Sequence, residues 1–170
     1  MKIKRILIAN RGEIAVRIIK TARKMKIETV AVKTSVEPNA LFLTMADIVF
    51  DNTEDSTDIT VFLNIERLVD IALKTGSDAV HPGYGFLAEN AYFAQKCSDN
   101  GIVFIGPSPD SIYKMGNKTI ARKIALASGI PMATGSLGNI GNEEEAAAVA
   151  EKIGYPVIIK RAGVYQSYSL

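Results

Sequence analysis

Residues 4–23, KRILIANRGEIAVRIIKTAR, carry the pattern that decides the fold. A short apolar run, Ile6 to Ala9, suits a parallel strand buried on both faces. Asn10 follows as a candidate helix cap, with Glu13 three residues later completing a capping box. Ile14, Ala15, Ile18, Ile19, Ala22 and Met25 then recur at helical spacing, and Glu13, Arg17, Lys20 and Lys24 fall on the opposite face. Glu13 and Arg17 stand one turn apart in the orientation that favours an ion pair. A second apolar run, Thr29 to Val32, makes the start a strand–helix–strand unit.

The same phrase repeats outward from there. A third strand is expected over 47–50 and a helix over 61–74, with Leu63, Ile65, Leu68, Ile71 and Ala72 as its apolar positions. Gly76 suits the C′ position of that helix, where a positive φ is needed. A strand over 78–80, a helix from Ala91 to about Gly101 and a strand over 102–105 follow. Strands alternating with helices predict an α/β, Rossmann-like parallel sheet with helices on both faces.

The rhythm changes after Pro107. Ser108 can cap a helical turn with Pro109 at its first position, and Gly116 interrupts it. A helix over 117–128 closes at Gly129, and 134–142 is a glycine-rich loop. Asn142 caps a helix over 143–153, whose acidic first turn suits the positive end of the helix dipole. Gly154 closes that helix, and 156–160 is expected as a final strand. A domain boundary therefore falls near 107–117.

A chain of 170 residues buries about 70% of its unfolded surface, enough for a core without covalent staples. Its 20 basic and 18 acidic residues leave a formal net charge of +2. That balance gives no electrostatic footprint for a nucleic acid or an anionic membrane. The single cysteine, Cys97, excludes an intrachain disulfide and fits a reducing compartment. The first apolar run is too short for a signal segment, and no stretch reaches membrane-spanning length. The expectation is an unprocessed cytoplasmic protein.

Candidate chemistry gathers at a few places. The loop HPGYGFLAEN at 81–90 leaves a strand at its carboxyl end, where open α/β sheets bind ligands. Gly83 and Gly85 flank Tyr84, and two readings stand side by side: a tight turn with a packed aromatic, or a loop approaching a ligand. Composition alone favours the turn. His81 is the only histidine, which excludes a Ser–His–Asp triad and a histidine-rich zinc site by counting. Its reading is structural. The IANRGEIA turn has one glycine, Gly12, so it lacks a dinucleotide fingerprint, and no Walker A sequence occurs. Asn10 and Arg11 are read as a cap with a structural hydrogen bond or ion pair. Lys118 begins a helix, where an ammonium and backbone N–H groups could meet phosphates. Lys160 ends an apolar run that would aim its charge at a cleft. Cys97 is read as a buried small hydrophobe.

Four motifs occur in order: KRILIANRGEIAVRIIKTAR at 4–23, HPGYGFLAEN at 81–90, FIGPSPDSIYKMGNK at 104–118 and GYPVIIK at 154–160. Together they resemble the N-terminal region of biotin carboxylase, the module that also opens pyruvate, propionyl-CoA and acetyl-CoA carboxylases. The resemblance implies a pre-ATP-grasp domain over 1–113 and the beginning of an ATP-grasp domain over 114–160. It implies that ATP and bicarbonate form carboxyphosphate, whose carbon passes to biotin on a carrier protein. By position, Lys118 and Lys160 match the two lysines on the ATP phosphates. Tyr84, Gly83 and Gly85 match the biotin-side loop. ATP, biotin and magnesium are the cofactors so implied, with bicarbonate, the carrier protein and the remaining carboxylase domains or subunits as partners.

The sequence also departs from the family. After Lys160 comes RAGVYQSYSL at 161–170, a tail without the expected glycine-rich loop. The magnesium carboxylates and the arginine region for bicarbonate and biotin have no counterpart here. No catalytic residue is assigned, and the 170-residue chain is expected to be inactive alone. Ile48 stands where relatives carry an acidic residue. Lys20 and Lys24 are like charges on a helix that borders the dimer interface of bacterial relatives, where a homodimer is the familiar state. Two other readings remain: a non-catalytic module that docks on the rest of a carboxylase or on itself, and a piece of another ATP-grasp ligase such as carbamoyl-phosphate synthetase.

Overall fold

The Ile6–Ala9 run forms β1 (Arg5–Ile8) at the centre of a five-stranded sheet. This computed structural model describes residues 2–54, 59–136 and 138–160. The other strands are β2 (Glu28–Lys33), β3 (Ile48–Asp51), β4 (Ala79–His81) and β5 (Val103–Phe104). Their order is β3-β2-β1-β4-β5 and every pairing is parallel. Leu7 pairs with Val30 on one side and Val80 on the other. β1 is therefore buried laterally as well as on both faces, which explains why its sequence is a continuous apolar run and does not alternate.

Side chains still alternate between the two faces. Leu7, Val30, Val32 and Val80 pack beneath α3 (Ile65–Lys74) and α4 (Ala91–Asp99), against Leu68, Ile71, Phe93 and Cys97. Ile8 and Ala31 face the opposite way, against Ala15 and Ile19 of α1 (Gly12–Lys24) and Phe42 of α2 (Leu41–Met45). Helices thus cover both faces. The short α2 was not visible as a period. The helix expected over 61–74 is divided: Ile59–Leu63 is a 3-10 turn, and α3 starts at Ile65. Asn64 causes the break, because its side chain accepts the N–H of Arg67 at 3.0 Å and caps the helix.

The chain divides into two compact units between Pro109 and Asp110. The second contains α5 (Pro109–Gly116, which begins one residue earlier), α6 (Lys118–Ala127) and α7 (Glu143–Ile153). Asn117 caps α6 by accepting from the N–H groups of Thr119 and Ile120. Asn142 caps α7 by accepting from Glu145 N–H at 2.8 Å, as its sequence predicts. The strand expected over 156–160 does not form. A strand needs a hydrogen-bonded neighbour, and none of the described strands pairs with it. Ile158 and Ile159 are 83% and 82% exposed as a result. The tail over 161–170 lies outside the described residues. None of the described helices is long and apolar enough to cross a membrane.

Candidate functional site

The strand order creates one place where neighbouring connections diverge. From β1 the chain proceeds to β2, and from β3 it crosses to β4 on the other side of β1. The loops leaving the carboxyl ends of β1 and β4 consequently face one another across a topological switch point, where such sheets bind ligands. Asn10 and Arg11 come from the first loop, and Pro82, Gly83 and Tyr84 from the second. Ala9 N–H donates to His81 O at 2.9 Å and continues the pairing to the lip.

Asn10 is fully buried there, and the structure corrects its reading as a cap. The residue before α1 is Arg11, and it makes no side-chain capping bond. The Asn10 amide instead donates through Nδ2 to Pro82 O at 2.8 Å and to Tyr84 O at 2.9 Å. Its Oδ1 accepts from Arg11 N–H at 2.9 Å. A buried amide must spend its donors, and the two carbonyls of the facing loop are the acceptors within reach. Arg11 makes the structural ion pair expected of it, a two-pronged contact with the Glu37 carboxylate that holds its guanidinium pKa above the ordinary value.

Tyr84 is 60% exposed, so the reading of a packed aromatic fails. Its phenol donates to Glu13 Oε1 at 2.5 Å, which raises the Tyr84 pKa because ionising the phenol would break that bond and face a carboxylate. Glu13 thereby bonds a residue 71 positions away and not Arg17, its expected partner on α1. The two glycines differ. A Cβ on Gly83 would lie 2.6 Å from Asn10 Nδ2 and 2.7 Å from Ile14 Cγ2, and its φ is +65°. Gly85 has φ +71° with nothing within 4 Å of a Cβ. Close backbone approach at Gly83 is thus to the chain's own β1–α1 turn. His81 is half-buried, and its Nδ1 accepts from Gly83 N–H at 3.0 Å. Burial lowers its pKa. Both features describe a neutral, structural imidazole. Cys97 is fully buried and its pKa is pushed up to about 12 by desolvation, as befits a core residue.

The two candidate lysines belong to the second unit. Lys118 is the first residue of α6 and is exposed. Asn117, Thr119, Ile120, Lys123, Gly138 and Asn139 line an open depression of about 350 Å³ beside that helix start. Lys160 is exposed and follows Ile158 and Ile159. Among the described residues no three His, Cys, Asp or Glu side chains converge as metal ligands.

Residues 2–112 match the family model for the biotin carboxylase N-terminal domain. This chain belongs to the biotin carboxylase family. Residues 117–165 match a second model, the ATP-binding domain of the carbamoyl-phosphate synthase L chain. Biotin carboxylase 1 of Bacillus subtilis is 51% identical over 162 residues, covering 93% of this chain and 35% of that protein. The 2-oxoglutarate carboxylase small subunit of Hydrogenobacter thermophilus is 44% identical over 157 residues, covering 92% of this chain and 33% of the relative. A crystal structure of the biotin carboxylase domain dimer of the Hydrogenobacter thermophilus enzyme, with MgADP, ADP and bicarbonate, superposes with a TM-score of 0.83. It is 43% identical, and the match covers 92% of this chain and 34% of that one. The chain spans about a third of the length of these biotin carboxylase relatives.

Proposed function

We propose that this chain supplies the N-terminal part of a biotin carboxylase, which carboxylates biotin on a carrier protein at the expense of ATP and bicarbonate. The observation that carries the reading is the HPGYGFLAEN loop held at the switch point of a sheet that matches the family domain. In the family's reaction a bicarbonate oxygen attacks the γ-phosphorus of ATP, ADP leaves, and carboxyphosphate forms. Its carboxyl carbon then passes to the ureido nitrogen of biotin and phosphate departs. Lys118 and Lys160 are assigned to the ATP phosphates by motif position, where an ammonium offsets charge on the transferring group. Tyr84, Gly83 and Gly85 are assigned to the biotin side. Magnesium would accompany ATP in the complete enzyme and offset charge on its phosphates. A cytoplasmic setting, assembly with the remaining carboxylase domains and a family-type homodimer belong to the same reading. The first crystal relative supports the last of these, being a dimer.

Biotin-stimulated, bicarbonate-dependent ATP cleavage tests it. The purified 170-residue chain is expected to show none. A fusion of residues 1–160 to the remaining two-thirds of the Bacillus subtilis relative is expected to turn over, and Lys160→Ala in that fusion to abolish turnover. A folded fusion without activity overturns the proposal.

The exposure of Tyr155, Ile158 and Ile159, at 70%, 83% and 82%, favours a second reading as a docking or self-association module. Light scattering of the chain, alone and mixed with the remaining two-thirds of the relative, separates the two readings. A monomer without affinity for that partner rejects the second.

A further inference from the structure

The loop over 82–85 is held from two directions by the first turn of the chain. From beneath, Asn10 Nδ2 takes the carbonyls of Pro82 and Tyr84 at 2.8 and 2.9 Å. From the outer side, Glu13 Oε1 takes the Tyr84 phenol at 2.5 Å. Both anchors lie within four residues, Asn10 on the β1–α1 connection and Glu13 in the first turn of α1, while the loop they hold is more than 70 residues away. We propose that Asn10 and Glu13 are positioning residues for the biotin-side loop, Asn10 fixing its carbonyls and Glu13 fixing the Tyr84 ring. The inference rests on the assignment of that loop to biotin made above.

Three features support it. Asn10 is withdrawn from capping α1, the role its position and type would otherwise give it, and both donor bonds of its amide go to the loop. Gly83 lies so close to Asn10 and Ile14 that no side chain fits between, and the glycine therefore seats the loop on its anchor. Tyr84 is exposed and gains little from packing. Without Glu13 its ring would sample several rotamers. With Glu13 the phenol is committed as a donor, and its free lone pairs and ring face have one direction. Fixing a loop before a ligand arrives removes an ordering cost from binding.

Amide exchange on the labelled 170-residue chain tests the clamp directly. Asn10→Ser and Glu13→Ala should each raise exchange at Gly83 N–H by about tenfold, the ratio set by the net contribution of a single hydrogen bond. Amides of β1 and β2 should not change. Glu13→Gln keeps an acceptor but no charge, so it should retain slow exchange. The same variant should bring the Tyr84 titration, seen by ring NMR, down toward the ordinary tyrosine value. Arg17 is the other charged group on α1 that acts on this phenol, and it is unchanged in all variants. In the fusion described above, Glu13→Ala and Tyr84→Phe should raise the biotin KM about tenfold with the ATP KM unaltered, and Glu13→Gln should restore it. Unchanged Gly83 exchange in both Asn10→Ser and Glu13→Ala overturns the proposal, as does an unchanged biotin KM in an active fusion. A fusion inactive with wild-type residues counts against the proposed function instead, and exchange then decides the clamp. If Asn10→Ser does not fold, Glu13→Ala and Tyr84→Phe carry the test, since both are exposed changes.

Discussion

Gly83 and Gly85 look alike in the sequence and should behave differently on substitution. Both have positive φ, which costs an L-residue about 1–2 kcal/mol. Only Gly83 would also drive a methyl group into Asn10 and Ile14. Overpacking of that kind adds about 1–3 kcal/mol. Gly85→Ala should therefore lower stability by about 1–2 kcal/mol and Gly83→Ala by about 2–5 kcal/mol, read as urea midpoints at unchanged slope. Equal midpoints would show that the loop does not rest on Asn10. His81 supplies a pH test at the same spot. Its folded pKa lies below the unfolded value because burial disfavours the imidazolium. The unfolded state thus takes up the proton first, so the stability it contributes is present above about pH 6.5 and is lost as pH falls through the folded pKa. Protonation also removes the acceptor for Gly83 N–H. The single His resonance should titrate below the ordinary histidine value. Between pH 7 and 5 the loss of stability should be smaller in His81→Gln than in the parent chain. Much of this was illegible beforehand. The loop stood out as a motif, but nothing local in HPGYG states that Gly83 packs on Asn10 or that Tyr84 reaches Glu13, because those contacts join segments 71 to 74 residues apart.

Four helices of this chain begin with the same device. Asn64, Asn90, Asn117 and Asn142 each accept a backbone N–H from the first turn of α3, α4, α6 and α7. α1 does not, although an asparagine stands just before it, because Asn10 serves the facing loop. The comparison yields a prediction. Asn90→Ala should cost about 1 kcal/mol, the ordinary value of a cap. Asn10→Ala should cost about 2–5 kcal/mol, because it leaves two loop carbonyls without their buried donor and opens a gap. Chemical denaturation of the two variants measures the difference, and similar costs would mean Asn10 acts as a simple cap. Elements of this kind were the most legible part of the sequence. Apolar period and terminal residues located α1, α3, α4, α6 and α7 and all five strands of the sheet to within a few residues. The failures have physical causes. α2 is only five residues long, too short to show a period. Asn64 sits inside an apolar run that hides the boundary between the 3-10 turn and α3. The run at 157–159 has strand composition, but composition supplies no neighbour to bond with.

At the scale of the whole chain the two units are built differently. Among the described residues, all three clusters of buried apolar side chains lie in the first unit. Among the described residues of the second, the buried hydrophobics are Ile112 and Ala150, and no residue of α6 is buried. Hydrophobic burial is the main favourable term in folding, so opening energies should differ sharply between the units. In hydrogen exchange the amides of β1, β2 and β4 should be protected to the level of global unfolding, whereas those of α6 and α7 should exchange through local opening at least about a hundredfold faster. Joining residues 1–160 to the remaining two-thirds of a biotin carboxylase should then slow exchange in α6, α7 and at Val157–Ile159. The β1, β2 and β4 amides, already at their limit, should move little. This asymmetry follows from where apolar surface is already covered, and it ties the exposure of Ile158 and Ile159 to the lack of strand pairing at 156–160 among the described residues. Uniform protection across both units in the 170-residue chain would mean that the second unit is stabilised by something other than the burial described here.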